Sequence, residues 1–167
     1  PLNEFNKIYC DIGNSKSIAS IFKYKESNTP KYSIVVNEKE SKFTKGGIGI
    51  IGAGNFTKMT MLPALKNTKA NIKHIVSSKG VNGTALAKKH NISQSTTNYE
   101  LVLDDEDVDL IMITTRHNLH AEMVIKALNK GKHVFVEKPL ALNNKELKAI
   151  EESYKNSNGS LMIGFNR

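Results

Sequence analysis

GGIGIIGAGNFTKMTMLPALK, residues 46–66, reads as a buried strand, a glycine turn and the start of a helix. Ile48, Ile50 and Ile51 form a short β-branched run without charge, as a parallel strand covered on both faces requires. Gly52-Ala53-Gly54 is the turn. A Cβ at either glycine would obstruct the tight bend or the close approach of backbone to a ligand. The helix that follows aims unpaired N–H groups and the positive end of its dipole at the turn, which makes a seat for a pyrophosphate. The expectation is a dinucleotide site formed by Gly52, Ala53, Gly54, Asn55 and Phe56. Thr57 stands where such a motif has its third glycine, and implies slightly wider packing of helix on strand. A methyltransferase would want a glycine at Phe56. Taken alone the motif is weak, because an ordinary strand–turn–helix has the same signature.

The bulk properties narrow the classes. The 167 residues suit one domain with an appendage, and 39% hydrophobic residues suffice for a real core. No apolar run is long enough for a bilayer, and the N-terminus lacks the layout of a signal peptide. Cys10 is the single cysteine, which excludes an internal disulfide and a cysteine-rich zinc site and suits a reducing, cytoplasmic setting. The net charge of +8 comes from scattered lysines that rarely alternate with aromatics. A solvated basic surface explains it better than a nucleic-acid partner.

Along the chain, residues 1–9 suggest a short helix and 17–24 a strand with Ile18, Ile21 and Phe22 available for burial. Residues 32–36 form a possible further strand, and 37–45 resemble a charged linker. The expected division is an appendage over 1–44, the tail of a preceding domain plus linker, and a nucleotide-binding domain over 45–167. After the glycine turn, Met59, Leu62 and Leu65 fall on one helical face, and Pro63 should kink that helix or end its regular part. Strands are expected over 72–77, near Ser95 and Thr96, and over 108–114, 133–136 and 161–165. Helices are expected over 80–90, with Leu86 and Ala87 inward, and over 99–103. A further helix is marked by Ala121, Val124, Ile125 and Leu128, with Gly131 as its left-handed cap. Asn143 and Glu146 resemble a capping pair opening a last helix, with Leu147, Ile150 and Tyr154 inward. The acidic run 104–107 reads as a solvated helix end. This alternation calls for an α/β fold of Rossmann type, a doubly wound parallel sheet with a short N-terminal appendage.

Ligands of such sheets bind outside the carboxyl ends of the strands at the topological switch point. That rule brings Gly52, Ser77, Thr115 and Glu137–Lys138 to one rim. Ser77-Ser78-Lys79 follows the second strand, where an acid would accept the ribose hydroxyls of NAD. Two hydroxyls and an ammonium favour NADP over NAD, although an exposed turn that touches nothing has the same composition. Thr115, His117 and His120 in TTRHNLH are candidates for contact with ribose or nicotinamide, against plain helix capping. The two histidines have no third ligand nearby, so no metal site is expected. Pro139 forces Lys138 out of helical geometry and so fixes where its ammonium points. A lysine in a half-dry cleft can exchange a proton with a substrate hydroxyl, with Glu137 orienting it. On spacing alone, a surface lysine in a turn fits as well.

IGAGNF, then TRHNLHAEMVIKALNKGKHVFVEKPLAL, then GFNR resembles the glucose–fructose oxidoreductase / inositol dehydrogenase (Gfo/Idh/MocA) family of NAD(P)-dependent enzymes. The resemblance covers about residues 46–167. It places Thr115, His117 and His120 on the family's cofactor-contacting TPNxxH segment, with Arg116 and His117 replacing its Pro and Asn. It places Lys138 on the family's catalytic lysine, with Lys138–Pro139 cis. It implies an oxidoreductase acting on a sugar, nucleotide-sugar or cyclitol, a homo-oligomer at full length. The family's substrate domain, with its catalytic Asp and His, would follow Arg167, so this chain should bind cofactor with little turnover of its own. Residues 1–24 resemble the tail of a medium-chain, alcohol-dehydrogenase-like domain. The alternative is a non-catalytic, cofactor-sensing or protein-binding module on the same fold.

Overall fold

The fold is described from a computed structural model of the chain, in which residues 4–10, 21, 32–37 and 46–165 are described. The chain divides into two compact units, Pro1–Lys31 and Tyr32–Arg167. In the first, α1 spans Phe5–Cys10 and buries none of its residues. The strand expected over 17–24 lies outside the described residues except for Ile21, which is 93% exposed.

The second unit carries the sheet. Its strands are β1 (Ser33–Val35), β2 (Gly47–Ile51), β3 (Asn71–Val76), β4 (Gln94–Thr96), β5 (Val108–Ile113), β6 (His133–Glu137) and β7 (Leu161–Gly164). The helices between them are α2 (Leu62–Lys66), α3 (Val81–His90), α4 (Glu100–Leu103), α5 (His120–Asn129) and α6 (Asn144–Lys155). The strand order is β1-β4-β3-β2-β5-β6-β7, parallel from β4 to β7, with β1 antiparallel on β4. The order reverses between β2 and β5, the switch point of a Rossmann-type sheet. β2 is buried at every residue and its side chains alternate between two cores. Ile48 and Ile50 join Met61, Leu62, Leu86 and Ala87 from the α2 and α3 side. Ile51 joins Val102, Val124, Leu128 and Ile150 from α4, α5 and α6 on the other side.

Three expectations change. The boundary placed after residue 44 moves to before Tyr32, because β1 caps the open edge of β4. The Thr96 hydroxyl donates to the Tyr32 carbonyl at 2.7 Å, and the Val36 N–H to the Ser93 carbonyl at 2.9 Å. Of the two outcomes expected at Pro63, a kink or an end to the regular helix, the end does not fall there, since α2 runs on past it to Lys66. A π-type turn over Thr57–Met61 precedes α2, and the Leu62 N–H closes on the Thr57 carbonyl, five residues back. The ring of a proline would clash with the carbonyl four residues earlier in a regular helix, and the wider turn avoids this. It also shifts the phase: Thr57, Met61 and Leu62 are buried, whereas Met59 is 72% exposed. In α6, finally, Ile150 is the buried residue, while Leu147 and Tyr154 are 47% and 45% exposed. That helix packs on α5.

Candidate functional site

The carboxyl ends of β3, β2 and β5 are knitted into one rim. The Gly52 N–H donates to the Val76 carbonyl at 3.0 Å and the Thr114 N–H to the Ile51 carbonyl at 2.9 Å. A cleft of about 700 Å³ opens there. Of the expected residues, Gly52, Ala53, Gly54, Ser77, Ser78 and Thr115 line it.

The two glycines of the turn have different physical reasons. Gly52 has φ +121°, and a Cβ on it would meet the Thr114 backbone at 2.8 Å. It is required by the fold. Around Gly54 a Cβ would meet nothing within 4 Å. Its face is open to the cleft, the space that a dinucleotide diphosphate approaching main chain needs. The Lys58 N–H bonds the Gly54 carbonyl at 3.0 Å, so the helix starts at Asn55 with its first N–H groups unpaired by the helix. Thr57 takes the third-glycine place as a clasp. Fully buried, it donates to the Gly52 carbonyl at 2.8 Å and shares a 2.7 Å hydroxyl contact with Thr114. The turn is thus tied to both the helix and β5.

The remaining expected residues fall in several places. Asn55 is exposed at the helix start but does not line the cleft, and Phe56 packs toward the α2-side core. Ser77 lines the cleft, and its Oγ also accepts the Gly83 N–H of α3 at 3.0 Å. Lys79 is exposed and does not line the cleft. His117 is exposed on the 3₁₀ turn His117–Leu119.

The expectation that His120 touches a cofactor is corrected by its burial, since its relative exposure is 0%. Its Nδ1 lies 2.8 Å from the Pro139 carbonyl and its Nε2 3.1 Å from the Thr115 carbonyl. It braces the loop after β6 against the loop after β5. Lys138 is exposed immediately beyond β6, on the same rim, and the Lys138–Pro139 bond is cis. Two strand spacings, roughly 10 Å, separate β6 from β2. Glu137 does not orient Lys138 through an ion pair among the described residues. Its Oε1 is buried without a hydrogen-bond partner, and a Cβ on Gly164 would meet that oxygen at 2.8 Å. It is turned toward β7.

Arg116, Asn82, Tyr99 and Met123 also line the cleft and were missed as site residues. Arg116 was within reach of the rim rule, since it adjoins Thr115. Tyr99 and Asn82 follow β4 and β3 at the same edge. The Tyr99 hydroxyl donates to Glu122 at 3.0 Å and accepts from Lys126 at 2.8 Å. Burial holds that phenol above its ordinary value, against the neighbouring ammonium of Lys126. Among the described residues, no group of three or more His, Cys, Asp or Glu is arranged to hold a metal.

Residues 47–165 match the family profile GFO_IDH_MocA, described as "Oxidoreductase family, NAD-binding Rossmann fold". The chain belongs to this family. A relative named 1,5-anhydro-D-fructose reductase, from Ensifer adhaerens, is 34% identical over 94 residues, 56% of this chain and 28% of that protein. An inositol 2-dehydrogenase of Salmonella paratyphi B is 34% identical over 125 residues, 72% of this chain and 35% of that protein. A 3-ketoreductase from Actinomadura kijaniata, solved with TDP-benzene and NADP, superposes with a TM-score of 0.67 at 25% identity. The superposition covers 72% of this chain and 38% of that one. The chain therefore spans between about a quarter and two fifths of these relatives. The matched family model describes an NAD-binding Rossmann fold, and the solved 3-ketoreductase holds NADP in its own site.

Proposed function

We propose that the whole protein moves hydride between the nicotinamide ring and a carbon of a sugar, nucleotide-sugar or cyclitol, and that this chain supplies its cofactor site. The observation that carries the reading is the open face of Gly54 at the switch point between β2 and β5, with Lys138 on the same rim. Main-chain N–H groups beside Ala53 and Asn55 would seat the diphosphate. Ser77 and Ser78 would take the adenosine ribose and Thr115 the far half of the cofactor. The bound cofactor would give or accept the hydride. Lys138 would exchange the proton with a substrate hydroxyl or carbonyl oxygen, since its ammonium is exposed at the rim. The family relatives act, by their names, on a sugar derivative and a cyclitol.

Ser77-Ser78 in place of an acid at the end of β3 supports NADP over NAD. A homo-oligomer and a cytoplasmic setting complete the proposal. No helix among the described residues is long and apolar enough to cross a membrane. Calorimetric titration of the chain with each cofactor tests the site: micromolar binding is expected, tighter for NADP. Clearly tighter NAD binding removes the preference, and binding of neither removes the cofactor reading. Assay of the full-length protein on a sugar panel tests the chemistry. Lys138→Ala should lower kcat by about 100-fold or more, and an unchanged rate takes Lys138 out of the mechanism.

A further inference from the structure

We infer that Arg116 is a phosphate ligand of the bound dinucleotide and sets the affinity of the cleft for it. The inference rests on the cofactor site proposed above. Arg116 is the single charged side chain lining the cleft among the described residues, and no carboxylate lines it. A dinucleotide brings two negative charges on its diphosphate, and a 2′-phosphate adds about two more. An anion entering this cleft finds one full positive charge to meet it. Lys79, the cation expected there from the sequence, does not line the cleft.

The backbone holds Arg116 in place. It is extended, with φ −69° and ψ 146°, at the entrance to the 3₁₀ turn. Its carbonyl accepts the Leu119 N–H at 3.0 Å and faces the Thr115 hydroxyl at 3.4 Å. Its guanidinium, by contrast, has no ion-pair partner among the described residues, whereas Lys73, Lys126, Lys130 and Lys155 are all paired. An unpaired cation is free to meet a ligand without breaking a bridge.

Position agrees with charge. β5 is the direct neighbour of β2, so the loop carrying Arg116 adjoins the Gly52–Gly54 turn on one flank, and Ser77-Ser78 flanks it on the other. From there the guanidinium would meet the diphosphate on the neighbouring turn or, across two strand spacings of roughly 10 Å, a 2′-phosphate beside Ser77-Ser78. Its planar fork matches two phosphate oxygens at once, which an ammonium does not.

The test is titration of the chain with NADP and with NAD, at low and at moderate salt. It compares wild type, Arg116→Ala, Arg116→Lys, and Lys88→Ala on the exposed face of α3 as a control for net charge. Arg116→Ala should weaken binding by about 10-fold or more and flatten its salt dependence. Arg116→Lys should restore part of the affinity, and Lys88→Ala should change little. Equal loss for both cofactors assigns the diphosphate, and loss confined to NADP assigns the 2′-phosphate; each supports the inference. Unchanged affinity in Arg116→Ala overturns it. So does lost affinity with the salt dependence intact, which would mean stacking on adenine, or an equal loss in Lys88→Ala. If wild type binds both cofactors while Arg116→Ala matches it, only this inference falls. If wild type binds neither, the cofactor site itself falls with it.

Discussion

At the scale of single residues, Gly52 and Gly54 look alike in the sequence and differ in the fold. Gly52 sits at φ +121° with the Thr114 backbone within 2.8 Å of where a Cβ would be. Gly52→Ala should cost roughly 3 kcal/mol or more, since it combines a disfavoured φ with a backbone clash. Gly54 has open space in that direction. Gly54→Ala should leave thermal stability within about 1 kcal/mol of wild type and still weaken cofactor binding at least tenfold. Melting curves and cofactor titrations on both variants check the pair. A Gly54→Ala variant that melts like Gly52→Ala would refute the division between a glycine for the turn and a glycine for the ligand. The motif gave both positions but not this division, because the distinguishing atoms belong to Thr114, 62 residues along the chain from Gly52. A separation of 57 residues from Thr114 likewise hid the role of Thr57, whose hydroxyl bonds both Gly52 and Thr114. His120 was misread for a related reason. Its composition suggested a ligand contact, and only the meeting of the two loops that it spans buries it.

At the scale of elements, β2 was legible because a parallel strand buried on both faces must be an apolar, β-branched run, and β3, β5 and β6 because Ile75-Val76, Leu110–Ile113 and Val134–Val136 carry the same signal beside polar residues. α5 was legible because its apolar spacing is helical, and Ala121, Val124 and Leu128 are indeed buried. The cap of α6 was legible as well, since capping is local. The Asn143 Oδ1 accepts the Glu146 N–H at 2.9 Å, and the Glu146 carboxylate accepts the Leu142 N–H at 2.8 Å. What α6 buries was not legible, because that depends on how far α5 covers it. The phase of the helix after the glycine turn was misread because a regular period was applied across a π-type turn that Pro63 imposes. Asn143→Ala should cost about 1 kcal/mol, or about 4 °C in melting temperature for a domain of this size. Calorimetry reads that shift, and Asn143→Asp should recover most of it. An Asn143→Ala variant that melts at the wild-type temperature would show that the first turn of α6 holds without its cap.

At the scale of the whole molecule, polar links join β3, the loop before β5 and the start of β6. Lys73 bonds Asp105 at 2.9 Å and Asp107 at 2.7 Å, and His74 bonds Asp105 at 2.6 Å. Lys132 donates to the Asp105 carbonyl at 2.8 Å. Burial alone would raise the Asp105 carboxyl, but the hydrogen bonds from His74, Lys73 and the Asp107 N–H outweigh it and hold the group down at about 2. For His74 the balance is opposite: burial lowers it and outweighs the attraction of Asp105. Both folded values are depressed, so both groups stabilise the fold fully above their ordinary values and lose that contribution as the pH falls. Stability should therefore decline first below pH 6.5, where His74 must charge, and again between the ordinary 3.8 of Asp105 and its folded value of about 2. Asp105→Asn should cost about 2 kcal/mol at neutral pH, as loss of hydrogen bonds to a charged group does. It should abolish the second decline, because no carboxyl remains there to protonate. It should steepen the first, because a charged His74 then lacks its counter-ion. Denaturant midpoints measured from pH 8 to pH 2 resolve the two limbs. A second decline of wild-type size in Asp105→Asn would assign the acid limb to carboxylates elsewhere and leave this network a spectator of acid unfolding.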